Sequence, residues 1–303
     1  MADSSYPNRP ITIIIAYPPG AATDAVARLV AGKISASMGQ PVVVESKPGA
    51  SGNLGTGFVA RAAPDGYTIL MSPDNPITTN IHLFKALGYD PVKDFAPITI
   101  AASSVICIVG AKTFAPNSLG EVIEYAKAKP GSVTYGTPGI GTPHHLIGES
   151  IRQRVNIDIQ HAPYRGGGPA LNDVLGGHTQ LAILSFSAAM SFVGTDALKI
   201  YAISEPTRYS SIPNIPTISE TLAGFSLSPW LGFLAPAATP KDIIARLNKE
   251  ITEALKQPDV KQRLVALGLT PIGSSSETAK TLILKDLKIR GDLVQSAKIE
   301  KVQ

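Results

Sequence analysis

The sequence predicts an α/β protein of two domains built on mainly parallel sheets. Short Val- and Ile-rich runs alternate with helix-length segments along the whole chain, which is the pattern of sheets covered by helices. Several of those runs are apolar on both faces, as buried parallel strands are. The length of 303 residues exceeds what one small core organises and suits two domains of ordinary size.

Strands are expected at about 11–17, 42–46, 67–72, 95–103, 105–111, 133–137, 158–164, 180–185, 198–204, 227–235 and 269–273. Helices are expected between them, at about 22–38, 53–62, 118–129, 143–154, 169–176, 241–256, 258–267 and 277–298. Thr142-Pro143 and Thr239-Pro240 each place a capping Thr before a proline at the first helical position. Ser274 with Glu277 has capping-box spacing for the last helix. Gly176-Gly177 and Gly268 read as helix stops. The helices after about residue 240 are amphipathic and are expected to return to the first domain.

Composition excludes several function classes. With 44% hydrophobic and 17% charged residues the chain is globular, not disordered. Its net charge of +4 comes from scattered Lys and Arg without a basic run, which argues against nucleic acid. Cys107 is the only cysteine, so neither an internal disulfide nor a cysteine-built metal site is expected. No apolar stretch is long enough to span a membrane. The opening "MADSSYPNRP" carries no apolar core of a signal peptide.

Ligands of α/β sheets sit beyond the carboxyl ends of the strands, and three glycine-bearing loops fall there, which suggests one shared cleft. In "YPPGAATDAVAR" Gly20 allows close backbone approach, and the following helix N-terminus favours an anion. Asp24 lies in that first turn, either as a ligand contact or as a partner of the helix dipole. In "YGTPGIGTPHHLIGES" Thr137, Thr142 and His145 surround a glycine-rich turn at another helix start. The adjacent His144 and His145 diverge on a helix and do not form a metal pair, so no metal is expected. In "HAPYRGGGPALNDVLGGH" Arg165 suits a bidentate carboxylate pair and Tyr164 a wall or hydroxyl. The alternative for Arg165 is a surface or interdomain salt bridge. "GTGFVA" at 55–60 matches a dinucleotide pattern, yet its glycines fall inside an expected helix. No GxSxG elbow, phosphate-binding P-loop or SxxK motif is present. The glycine loops alone also permit a nucleotide- or NAD-using α/β enzyme, which is the competing class.

The stretch from "YPNRPITIIIAYPPGAATDAVARLVAGK" to "APDGYTILM", followed by "GTPGIGTPHHLIGE", "YRGGGPALNDVLGGH", "SEPTRYSSIPNIPTISE" and "WLGFLAPAATPKDIIARLN", resembles the TctC/Bug proteins. These are extracytoplasmic solute receptors of tripartite tricarboxylate transporters. The resemblance covers essentially the whole chain. It implies a two-lobed periplasmic binding protein fold with a ligand cleft between the lobes and no enzyme activity. It implies domain I at 1–102 plus 225–303 and domain II at 103–224, with crossings near Ala101–Val105 and Leu222–Ser226. Carried onto this sequence, the ligand loop after the first strand holds Tyr17, Pro19, Gly20, Ala21, Ala22, Thr23 and Asp24, with Ser72 and Asn75 as a further wall. The second domain contributes Thr137, Gly139, Gly141, Thr142 and His145, then Tyr164, Arg165, Gly166 and Ser185. Many relatives have an apolar strand ending in Asp followed by Asn, where this chain has Leu184 and then Ser185, and the missing acid argues against an amino acid ligand and for a plain carboxylate. The implied ligand is a small organic acid, a dicarboxylate with aromatic acids such as terephthalate included, bound without a cofactor. The implied partners are membrane permease subunits or a sensor kinase, and the implied state is a periplasmic monomer.

Overall fold

The computed structural model of the protein describes residues 6–20, 22–209, 212–225, 227–296, 299 and 301. The chain opens with strand β1 (Ile11–Ile15), helix α1 (Ala22–Met38), strand β2 (Val42–Ser46), helix α2 (Asn53–Ala60) and strand β3 (Thr68–Pro73). Two one-turn helices, α3 (Asn75–Thr78) and α4 (Asn80–Leu83), lead to strand β4 (Phe95–Ser104). Then come β5 (Ile106–Ala111), α5 (Leu119–Ala128), β6 (Val133–Thr137), α6 (Pro143–Arg154) and β7 (Ile159–Pro163). They are followed by α7 (Gly167–Leu175), β8 (Leu181–Ser185), α8 (Phe186–Ala189), β9 (Leu198–Ile203) and α9 (Ile218–Thr221). The chain closes with β10 (Trp230–Pro236), α10 (Lys241–Lys256), α11 (Pro258–Ala266), β11 (Leu269–Pro271) and α12 (Ser276–Ser296).

Two compact units result. The described residues of Met1–Ser103, Trp230–Asp292 and Lys298–Gln303 form the first, and those of Ser104–Pro229 and Leu293–Ala297 the second. Part of the second expected crossing, Ser226, lies outside the described residues. The first unit carries a sheet of order β11-β4-β10-β3-β1-β2 and the second a sheet of order β7-β6-β8-β5-β9. In the first, β1 runs parallel to β2 and β3, while β10 runs antiparallel to β3 and β4. In the second, β6 runs parallel to β7 and β8, while β5 runs antiparallel to β8 and β9. The sheets are thus mixed rather than mainly parallel. A run that is apolar on both faces marks a central strand, and central antiparallel strands such as β5 and β10 read the same way.

Helices cover both faces of the first sheet, which is why β1 is a nearly unbroken Ile run. Ile11, Ile13 and Ile15 pack with Val26, Val30 and Ile34 of α1 and with Leu247 and Ile251 of α10. Ile14 faces the other way, against Leu70, Val59, Trp230 and the α12 residues Ala279 and Ile283. Burying each such side chain contributes roughly 1.5–3 kcal/mol. Cys107 is fully buried, and burial pushes its thiol up to about 12.

The structure uses some of the helix start signals and not others. Thr142 caps α6, its Oγ accepting the His145 N–H. Thr239 does not cap α10, whose N-cap is Pro240; the Thr239 hydroxyl is buried without a partner. The last helix is capped one residue later than expected. Ser275 Oγ accepts the Thr278 N–H at 3.1 Å, because Ser274 Oγ instead takes the Ile100 N–H at 2.9 Å. Gly55 and Gly57 of the dinucleotide-like motif lie inside α2. A Cβ at Gly55 would stand 2.7 Å from the Lys47 carbonyl oxygen and 2.9 Å from Ala16 Cα, so close packing of α2 on the end of β1 accounts for that glycine. Among the described residues no helix is long and apolar enough to cross a membrane, and no His/Cys/Asp/Glu cluster could hold a metal.

Candidate ligand site

The two units repeat one device. In each, three parallel strands stand with the earliest of them in the middle, β2-β1-β3 and β7-β6-β8. Parallel strands end on the same edge of a sheet, so the loops that follow them gather there. In the first unit these are the loops after β1, β2 and β3; in the second, those after β6, β7 and β8.

In the first unit, Gly20 turns the chain at φ 88° into α1, and Pro18, Pro19 and Gly20 are exposed. Ala21 lies outside the described residues. The Asp24 carboxylate is turned to its own loop. It accepts the Gly20 N–H at 3.0 Å and Arg28 Nε at 2.8 Å, and so braces the turn. Ala22 is exposed at the helix start, whereas Thr23 is buried with its hydroxyl sealed from solvent and unpartnered. Ser72 is fully buried and donates to the Pro73 carbonyl. Tyr17 and Asn75 come together: Asn75 Nδ2 donates to Tyr17 Oη at 2.7 Å, and that hydroxyl donates to the Ser51 carbonyl at 3.0 Å. Burial pushes the Tyr17 phenol up to about 12, so it stays a neutral donor.

Sequence reasoning missed the loop that receives these bonds. Residues 47–52 join β2 to α2, and Ala50 and Ser51 hold positive φ angles of 48° and 54° between Gly49 and Gly52. The Ser51 carbonyl also accepts Asn80 Nδ2 at 3.1 Å, and Asn53 Oδ1 accepts Asn80 Nδ2 at 2.6 Å and Tyr89 Oη at 3.0 Å. The run "KPGASGN" after a Val-rich strand was the available signal, a fourth glycine loop at a strand end.

Directly behind Asn75 lies a buried ion pair. Asp74 and Arg290 are 1% and 0% exposed, and Arg290 Nη2 donates to Asp74 Oδ2. Burial raises Asp74 to about 6, against the lowering effect of Arg290. Asp286, also raised by burial, accepts Trp230 Nε1 at 2.8 Å.

In the second unit the loops after β6 and β7 are zipped together. The Tyr164 N–H donates to the Thr137 carbonyl at 2.9 Å and the Gly166 N–H to the Pro138 carbonyl at 3.3 Å. Thr137 is fully buried; its hydroxyl donates to the Gly139 carbonyl and sits 2.7 Å from His161 Nε2. The Thr142 hydroxyl donates to the same carbonyl at 2.8 Å while capping α6. His145 Nδ1 accepts the Gly141 N–H at 3.0 Å, which makes the ring a neutral acceptor on that side. Its ring stacks on His161 with centroids 3.9 Å apart, and Tyr135 also stacks on His161, at 5.1 Å. Below them Glu149 accepts from Tyr135 Oη at 2.8 Å and from Arg152. Burial lowers His145, and burial with the neighbouring His145 lowers His161 to about 4. The side chains of Thr137, Thr142 and His145 therefore shape the loop from within.

The groups left to face a guest are main-chain amides and a cation. α6 and α7 both start here, and the first-turn N–H groups of a helix have no carbonyl partner within it. Gly166, at φ 115°, forms the N-cap of α7 without a side-chain cap. Arg165 is exposed and has no ion-pair partner among the described residues. Tyr164 is held aside, its hydroxyl donating to Asp173 at 2.5 Å. Ser185 lies at the end of β8, 3.1 Å from His144 Nε2, and the preceding Leu184 is fully buried.

Comparisons with known proteins point the same way. The family described as "Tripartite tricarboxylate transporter family receptor" matches residues 26–299. The periplasmic binding protein BugD is 31% identical with a TM-score of 0.76, the match covering 98% of this chain and 100% of that one. A Rhodopseudomonas palustris protein solved with adipate is 27% identical, TM-score 0.81, over 98% of this chain and 100% of that one. MatC from the same organism, solved with bound malate, is 29% identical, TM-score 0.75, over 95% and 100%.

Proposed function

The chain belongs to the tripartite tricarboxylate transporter receptor family, whose members are periplasmic solute-binding receptors and not enzymes, and on that premise we propose that it captures a small dicarboxylate for a membrane permease. Terephthalate and other aromatic diacids fall within the proposed class. The observation that carries the reading is Arg165, exposed and without an ion-pair partner among the described residues, beside two helix starts, a cation and free amides in one loop cluster. Helix N-termini favour an anion by about 0.3–1 kcal/mol each at exposed sites, and a guanidinium adds a bidentate partner for one carboxylate.

In this reading the expected domains, 1–102 plus 225–303 and 103–224, hold one ligand between them, as the resemblance implies. The first contributes the loops near Gly20 and Asn75, the second those near Gly141 and Gly166. Closure then requires contacts with the ligand that the open state lacks. The adipate and malate held by the two structural relatives support a diacid. Leu184, standing where an acidic residue would meet a ligand amino group, supports a ligand without one. A periplasmic monomer presenting the closed form to permease subunits completes the proposal; presentation to a sensor kinase is the variant reading.

A thermal-shift and calorimetry panel of aliphatic, aromatic and amino-bearing acids tests it. A plain diacid is expected to bind at micromolar level or tighter, about −8 kcal/mol, and to be recovered unchanged. A response to aspartate or glutamate with none to plain diacids overturns the use of Leu184. A response to NAD or ATP alone overturns the whole reading.

A further inference from the structure

We propose that Ile140 sets ligand selectivity, favouring carboxylates whose body is apolar over hydroxylated ones. This deepens the proposed function and rests on it. Ile140 is an isoleucine at the tip of the loop between β6 and α6, and it is 65% exposed. A single exposed apolar side chain is ordinary on a protein surface, but this one is held in place. Gly139 and Gly141 flank it at φ 149° and 73°, a backbone that L side chains rarely adopt. The Gly139 carbonyl is gripped by the hydroxyls of both Thr137 and Thr142, and the Gly139 N–H donates to Thr137 Oγ1 at 3.3 Å. The Gly141 N–H is fixed on His145 Nδ1. Each neighbour of Ile140 is tied down while its own side chain reaches solvent, beside the helix starts that would receive the carboxylate.

The chemistry around it is divided. Amides and Arg165 supply polarity for a carboxylate, whereas Ile140 and the half-buried Pro138 are apolar. A methylene chain or an aromatic ring laid over Ile140 loses little hydration, and a hydroxyl placed there would lose its water without a partner. One methylene in an apolar site is worth about 10–200-fold in discrimination when fully enclosed, so at this partly open position a ratio on the order of tenfold is expected.

The test compares wild type with Ile140→Ser and Ile140→Val by calorimetry. Two matched pairs serve as probes: succinate with malate, which differ by one hydroxyl, and adipate with its hydroxylated counterpart galactarate. Wild type is expected to bind the plain member of at least one pair about tenfold more tightly. Ile140→Ser should bring that ratio towards one while unfolding at the wild-type temperature, and Ile140→Val should keep most of it. An unchanged ratio in Ile140→Ser, with binding intact, overturns the inference and leaves the proposed function standing. If uptake through the permease then fails, the side chain belongs to docking instead. If wild type binds no carboxylate at all, the proposed function falls first and the inference with it.

Discussion

Tyr17 and Asn75 share a hydrogen bond that fixes the first-unit wall, Asn75 Nδ2 donating to the phenol at 2.7 Å and more weakly to the Ser51 carbonyl at 3.5 Å. Tyr17→Phe should cost about 1 kcal/mol of stability, the net worth of a hydrogen bond, and should weaken diacid binding by releasing Asn75 and the Ser51 turn. Chemical denaturation and calorimetry check both, and binding at wild-type affinity would place this wall outside the site. Arg290 poses a sharper case behind the same wall. Among the described residues it is the one buried cation paired with Asp74, with Asp286 also near. Removing one partner of a buried pair leaves an uncompensated charge and typically costs about 3–5 kcal/mol. Arg290→Met is therefore expected to destabilise by that amount, and Asp74→Asn on top of it to recover most of the loss. A double variant no better than the single would show that the cost lies in packing rather than charge.

At the level of elements, α6 with its loop and β7 share the stacked histidines, and this pair has a pH signature. An unfolded imidazole titrates near 6.5, while folded His161 takes a proton only at about 4 and His145 is lowered too. The native state binds fewer protons between those values, so stability stands above pH 6.5 and falls as the pH drops towards 4. Asp74, raised to about 6 from 3.8, works in the opposite direction, its contribution fading as pH rises through 6. The comparison that isolates the histidines is His161→Gln, which keeps a polar partner near Thr137. Its melting temperature should fall less than that of wild type between pH 6.5 and 4, and an equal fall would refute the assignment. The same elements show what was legible in the sequence. The long elements α1, α6 and α10 fall at the expected limits because several turns of apolar period fix them, even where a cap signal such as Thr239 fails. The four-residue helices α3, α4, α8 and α9 escaped, since one turn carries no period to read. α7 begins at Gly167, two residues earlier than Pro169 suggested, because the N-cap is a glycine at positive φ. The loops of the site were visible as glycine clusters, but the roles of Asp24, Thr142 and His145 as internal braces depend on distances that spacing does not encode.

At the scale of the molecule, the sole tryptophan makes the proposal separable from its parts. Trp230 is buried in the first unit and hydrogen-bonded to Asp286, so its fluorescence reports on that unit, whereas far-ultraviolet circular dichroism reports on both. A ligand at 100 times its dissociation constant stabilises the state that binds it by about 2.7 kcal/mol, which for a chain of this size raises the melting temperature by roughly 4 °C. If a diacid touched the second unit alone, the Trp230 transition would gain nothing from it directly. If both units hold it, the two transitions should rise together. Arg165 lies in the second unit and Trp230 in the first, so Arg165→Ala supplies the decisive comparison. It should leave the ligand-free melt unchanged, because Arg165 is exposed and unpaired among the described residues. It should also abolish most of the diacid-induced rise seen by Trp230. A rise at Trp230 that survives the loss of Arg165 in full would refute Arg165 as the cation that holds the carboxylate.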